Sequence, residues 1–350
     1  MGELLLLNDN VNAIVKAIFS IRSRTLLPLV LSTLNPHSST LFAQGSLTPP
    51  GAPAPTMKSL DQIEPRTPIS SLPYTISSGG SYYVTTNLTG LGGSSKGVTI
   101  SSGNVTLDLN GFALLGVPGS AECVFISGSY TNITVRNGTI GGWGNGGVNA
   151  YFTGAPRNLV FERLTVSGNS GFGIISQGPN IIRDCLSQNN GTGIASYGGL
   201  ISGCVARDNS IGIIAYGSCL VRDCQAAFNS SGGISLFENS TVSGCNVLGN
   251  PSSGISVQGN GCRISGNNCY SNNSGIFISG NNNRIEDNQV AASVVAGIQV
   301  AGPQYTNNVI IRNTVSGSGA NNFSSIGTNN DLGPVGSAAT NSSPWGNLSH

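Results

Sequence analysis

The chain has 350 residues, only 8% of them charged, and a formal net charge of +1. No long-range field is available to steer it onto nucleic acid or an anionic membrane surface, and no nucleic-acid partner is expected. Its 50 glycines would suit a disordered chain, yet the 38% hydrophobic residues fall at regular positions, which points to a folded repeat in one elongated domain.

Residues 1–44 read as a leader. Lys16, Arg22 and Arg24 precede an apolar run from Thr25 to Leu34, and Leu41-Phe42-Ala43 places a small residue before a cleavage point near Gln44. The arrangement resembles a long bacterial secretory signal, so a secreted or cell-surface location is expected. The run is shorter than the roughly 20 apolar residues of a membrane span, and the mature chain is expected to have none. Residues 45–75 form a Pro-rich linker and N-terminal cap, with Leu60 and Ile63 folding over the first coil. Strand signals begin at Tyr74. In NVTLDLNGF, 104–112, Asp108 is read as a turn-stabilising carboxylate. The stretch 142–156, GWGNGGVNAYFTGAP, is read as a widened turn of the kind that carries function.

From residue 158 one theme recurs. Gly-Ile pairs start at Gly173, Gly193, Gly212, Gly233, Gly254, Gly275 and Gly297, at spacings of 20, 19, 21, 21, 21 and 22. A unit this short cannot bury its own apolar face, so neighbouring copies must stack. Each copy also carries a β-branched residue three positions before a Cys or Asn: Ile182 and Cys185, Ile201 and Cys204, Val221 and Cys224, Val242 and Cys245, Ile264 and Asn267, Ile285 and Asn288, Ile310 and Asn313. A further Asn follows five residues on, at Asn169, Asn190, Asn209, Asn229, Asn250 and Asn272. No apolar stripe at helical spacing persists, whereas alternation over four or five residues does. The prediction is an all-β, right-handed parallel β-helix over 76–318, about 20 residues per coil, with 319–350 as a tail that caps it or runs back along its flank.

The phrases IIRDCLSQNNGTGI, VRDCQAAFNSSGGI, ISGNNCYSNNSGI and RIEDNQVAASVVAGI resemble parallel β-helix repeats of the pectin-lyase-like superfamily, and NVTLDLNGF resembles its usual first coil. The resemblance covers roughly residues 76–318. It implies the fold without choosing an activity, because the superfamily includes lyases, hydrolases, epimerases, phage adhesins and non-catalytic surface proteins.

Four cysteines, Cys185, Cys204, Cys224 and Cys245, share one column and should stack at about 4.8 Å intervals. They fit either buried thiols filling a ladder or disulfides between adjacent coils. Ligands at metal-site spacing are absent, as are clustered carboxylates for calcium; no metal and no cofactor are expected. His37 and His350 lie outside the repeat, which leaves no histidine base within it.

Two candidate sites remain. Alternation points the third residue after each Gly-Ile isoleucine outward, giving Gln177, Tyr197, Tyr216, Phe237 and Gln258, with Tyr151 at the matching offset from Gly147-Val148. Aromatic faces in a column suit sugar rings, and the amides suit their hydroxyls. The same apolar face would also suit burial by the tail or by a sister subunit in a homo-oligomer. The second candidate is Asp184 and Asp223, two coils or roughly 9.6 Å apart by strand spacing, a separation at which an inverting glycosidase places its two carboxyls. The chain is thus read as a secreted or surface β-helix that binds a polysaccharide, a cell-surface glycan or another surface through the aromatic column. The alternatives are a polysaccharide-degrading hydrolase or lyase using the two aspartates, and a purely structural adhesin or assembly subunit.

Overall fold

The structure is a computed structural model describing residues 65–152, 154 and 156–350. The leader and the capping role expected of Leu60 and Ile63 lie outside the described residues. What is described is a parallel β-solenoid of about 12 turns, each about 21 residues long, with no helix among the described residues.

Each Gly-Ile isoleucine sits directly above the previous one. The ladder runs Val124, Val148, Ile174, Ile194, Ile213, Ile234, Ile255, Ile276 and Ile298, in parallel register. All nine are fully buried. The glycine before each isoleucine is there for steric reasons. A Cβ on Gly193 would lie 2.5 Å from the carbonyl oxygen of Gly212 and 2.8 Å from Asn209 Nδ2, and Gly173, Gly212, Gly233 and Gly254 meet the same pair of atoms on the next coil. A second inward ladder follows Val135, Phe161, Ile182, Ile201, Val221, Val242, Ile264, Ile285 and Ile310. The third strand of each coil supplies smaller residues, including Ala206, Ala226, Val247, Cys269 and Val290.

Polar ladders close the corners. Each Asn from Asn169 to Asn250 donates its backbone N–H and its side-chain Nδ2 to the Oδ1 of the next, at 2.9–3.2 Å. Asn209, Asn229 and Asn250 also donate Nδ2 to the preceding coil's carbonyls. The amide column expected at Asn267, Asn288 and Asn313 is present too, and Cys245 N–H donates into its first oxygen at 3.0 Å. All eight cysteines are free and buried. In the four-cysteine column each thiol donates to the carbonyl two residues back, so these residues fill the ladder as thiols.

Between the second and third strands the chain turns through one left-handed residue per coil. This column holds Asn137, Arg163, Asp184, Gly203, Asp223, Gly244, Gly266, Asp287 and Arg312, at φ of 51–65°. Asn, Asp and Gly tolerate this region best, which explains most of the column's composition.

The ladder extends past both ends of 76–318. Thr67–Ile69 pairs with Gly80–Val84, and Tyr74–Ile76 pairs with Val98–Ile100. The tail adds another coil instead of running back: Asn321–Ser324, Asp331–Leu332 and Asn347–Ser349 each pair with the strand one turn earlier. Asn347 is the next rung of the Asn313 column, accepting from Asn313 N–H at 3.0 Å. It stands 34 residues on, because the chain between Gly333 and Gly346 is additional length within that coil. The start of the 142–156 stretch is scaffold. Trp143 is fully buried, donating Nε1–H to Leu114 O at 3.1 Å, and Gly90 and Gly97 leave room for its ring.

Candidate functional site

On the sheet formed by the Gly-Ile strands, side chains pointing away from the core assemble a second, smaller apolar cluster. Ile175, Ala195 and Ile214 are in direct register and buried although they lie outside the solenoid core, because Ile211, Tyr197, Tyr216 and Phe237 pack over them. The aromatic column expected from the spacing is present. Tyr197 and Tyr216 stack at 4.1 Å between ring centroids and 11° between planes, and Tyr216 and Phe237 at 4.8 Å and 20°. Tyr151 reaches across the intervening coil to lie 4.9 Å from Tyr197, tilted by 56°.

This geometry changes what the column offers. The rings of Tyr197 and Tyr216 face each other, so their outward surface is ring edge and phenol oxygen. A free aromatic face is left to the column's ends, above all at Tyr151, which is 43% exposed. Burial, followed by the neighbouring phenols of Tyr216 and Tyr151, pushes the Tyr197 hydroxyl up to about 12. It therefore stays protonated and remains a donor. Gln177, in register with Tyr197, is half-buried and its Oε1 has no hydrogen-bond partner. Gln258 is exposed, with Nε2 3.4 Å from Ser256 Oγ.

The same face carries a carboxylate that the spacing argument misses. Glu122 is buried, its Oε1 accepting from Asn145 Nδ2 at 2.8 Å and Asn149 Nδ2 at 3.2 Å, with Lys96 Nζ at 3.8 Å from Oε2. Asn149 in turn accepts the Tyr151 N–H at 3.0 Å and is in register with Ile175. Lys96 also lies over the Phe125 ring, 4.4 Å from its centroid. Glu122 stands two residues before Val124, the offset of Gly146 from Val148, so its placement could have been read by extending the Gly-Ile register one coil earlier.

Asp184 and Asp223 occupy left-handed turn positions and are exposed. Each carboxylate leans over the glycine of the next coil. A Cβ on Gly203 would lie 2.7 Å from Asp184 Oδ1, and one on Gly244 would lie 2.8 Å from Asp223 Oδ1. Their side chains fill the gap those glycines leave. Asp108 is the turn carboxylate it was expected to be, accepting from Asn110 N–H at 2.9 Å and pairing with Arg136 at 3.0 Å. Burial pushes its carboxyl up, and hydrogen bonds from Asn110 and Asn137 with the Arg136 charge bring it below the usual range. Among the described residues no group of three or more His, Cys, Asp or Glu could hold a metal ion, and no helix is long and apolar enough to cross a membrane.

Comparison with known proteins agrees with this architecture. Residues 200–339 match the family model described as right handed beta helix region. The solenoid is thus a right-handed parallel β-helix. The A-module of the Azotobacter vinelandii mannuronan C-5 epimerase AlgE4 superposes with a TM-score of 0.57 at 19% identity, over 72% of this chain and 90% of that one. The catalytic domain of a GH87 α-1,3-glucanase in complex with nigerose gives 0.58 at 13% identity, over 81% and 63%. The Dettilon tailspike protein gives 0.51 at 15% identity, over 81% and 60%. At these identities the likeness is one of fold. A search of curated proteins found no match.

Proposed function

We propose that this is a secreted or surface-displayed β-helix that binds a polysaccharide or cell-surface glycan, without transforming it, through the outer face bearing Tyr151, Tyr197, Tyr216 and Phe237. The observation that carries the reading is the four-ring column, three of whose rings lie over their own apolar bed. Ring edges and phenols line a strip along the coils, Tyr151 offers an open face for a sugar ring at one end, and Gln258 supplies an exposed amide at the other, one coil past Phe237. Structural neighbours named for mannuronan epimerisation and α-1,3-glucan cleavage, and a phage tailspike, favour a glycan over another partner. A binding role is preferred to an enzymatic one because Asp184 and Asp223 are exposed turn residues, each occupied with covering a glycine.

A glycan array probed with wild type and with Tyr216→Ala tests this. Tyr216 stacks on both sides, so its removal should weaken retention at least tenfold, a loss of about 1.4 kcal/mol. Retention equal in both proteins would remove the column as the site. No retention by either, with a dimer that Tyr216→Ala dissociates, would give the face to self-association instead. Reducing-sugar release from mixed polysaccharides would overturn the non-catalytic reading.

A further inference from the structure

A second constellation lies on the next sheet, several coils further along. The chain has only 15 basic and 14 acidic residues, yet three arginines and two acids meet here. Glu286 is 1% exposed. Its Oε1 accepts from Arg263 Nε at 2.9 Å and Nη2 at 2.7 Å, and its Oε2 from Arg284 Nε at 2.8 Å and Arg312 Nη2 at 2.7 Å. Arg312 also grips Asp287 with Nε and Nη2, both at 2.8 Å.

Three guanidinium groups face two carboxylates here, and all three are bonded to them. Arg263 is the third, its side chain 60% exposed, and the cluster keeps one positive charge in excess. Arg263 and Arg284 are direct cross-strand partners, so their backbones are about 4.8 Å apart. Like charges so placed repel, and the carboxylate bonded to both holds them together. Arg284 turns only Nε to Glu286, so its two Nη groups, with Arg263 Nη1, make no hydrogen bond within the described protein. Beyond them stands Trp345, 55% exposed, with the Arg312 guanidinium 5.6 Å from its ring.

A single guanidinium fork matches a planar carboxylate. Two adjacent forks, fixed from behind, match an anion with three terminal oxygens in a pyramid. An exposed indole face suits the apolar face of a sugar. We propose that Arg263 and Arg284 hold a tetrahedral oxyanion, a sulfate or phosphate ester of an oligosaccharide, while a neighbouring sugar of the same chain rests on Trp345. The site is separate from the tyrosine column and does not depend on it.

Calorimetric titration of the full chain with a sulfated carrageenan tetrasaccharide, its desulfated form, an oligogalacturonate of equal length, a sugar phosphate and sodium sulfate tests the proposal. The sulfated ligand or the sugar phosphate should bind at least tenfold more tightly than the desulfated ligand and the uronate, and whichever of the two binds more tightly identifies the ester. Arg263→Gln and Trp345→Ala should each reduce that affinity about tenfold, with circular dichroism unchanged, and Tyr216→Ala should leave it intact. Equal binding of the uronate, equal binding of the desulfated form, no binding of either ester, or indifference to both variants would each overturn it. Sodium sulfate binding as tightly as the oligosaccharide would reduce the site to an inorganic anion only.

Discussion

The asparagine column inside the solenoid and the tyrosine column outside it are built on the same step, one side chain handed up per coil. They differ in what is left over. From Asn190 to Asn272 each amide oxygen takes two hydrogen bonds from the rung before, and the amide nitrogens of Asn209, Asn229 and Asn250 also reach a carbonyl. The aromatic column spends its ring faces on stacking and leaves edges, hydroxyls and the open face of Tyr151. A stacked column is scaffold when its polar capacity is closed within the coil, and a candidate site when it is not.

Breaking the inner column should cost most. Asn229→Ala strands the Asn209 N–H in the interior, leaves Asn209 Nδ2 with the Ser187 carbonyl alone and takes a donor from the Ala206 carbonyl, and at about 1–3 kcal/mol for each unsatisfied group the loss should be about 4 kcal/mol in a urea titration. Acid is the next lever. Glu162 and Glu286 are pushed up by burial and brought below the usual range by their arginines, and Asp287 is lowered chiefly by its bond to Arg312. A depressed carboxyl contributes stability that is fully present above its unfolded value, about 4, and is lost as pH falls through the folded one. Urea midpoints should therefore fall as pH is lowered from about 5, and less steeply in Glu286→Gln.

The inner column also has a natural flaw. Beyond Asn272 its positions are taken by Ser293 and Ser318, whose hydroxyls are buried without partners. Ser293→Asn should restore a rung and add about 1 kcal/mol to unfolding free energy. Smallest of all should be Asp184→Asn, because Asn adopts the left-handed turn as readily and can still cover Gly203; a stability change within about 0.5 kcal/mol is expected.

Register was legible because a coil of nearly constant length turns sequence spacing into neighbourhood: the isoleucine, cysteine and asparagine columns all stand where their offsets put them. Spacing failed where coil length changed. Asn347 was hidden by the longer last coil, and Glu122 lay before the regular repeat began. It also says which residues adjoin and not how their side chains rotate, so the tyrosines were recognised as a column while the direction of their faces was not. Charge clusters such as the one around Glu286 draw on three successive coils and show no local motif.

The glycine before each isoleucine carries a wider consequence. Because each coil from Gly173 to Gly254 meets the same carbonyl and the same amide on the next and leaves the same gap for them, a turn duplicated or deleted there would meet neighbours already shaped for it. Such a molecule can grow or shrink in whole steps while its interior chemistry stays unchanged, so that its length, and the number of aromatic rungs it displays, become quantities free to vary independently of its stability.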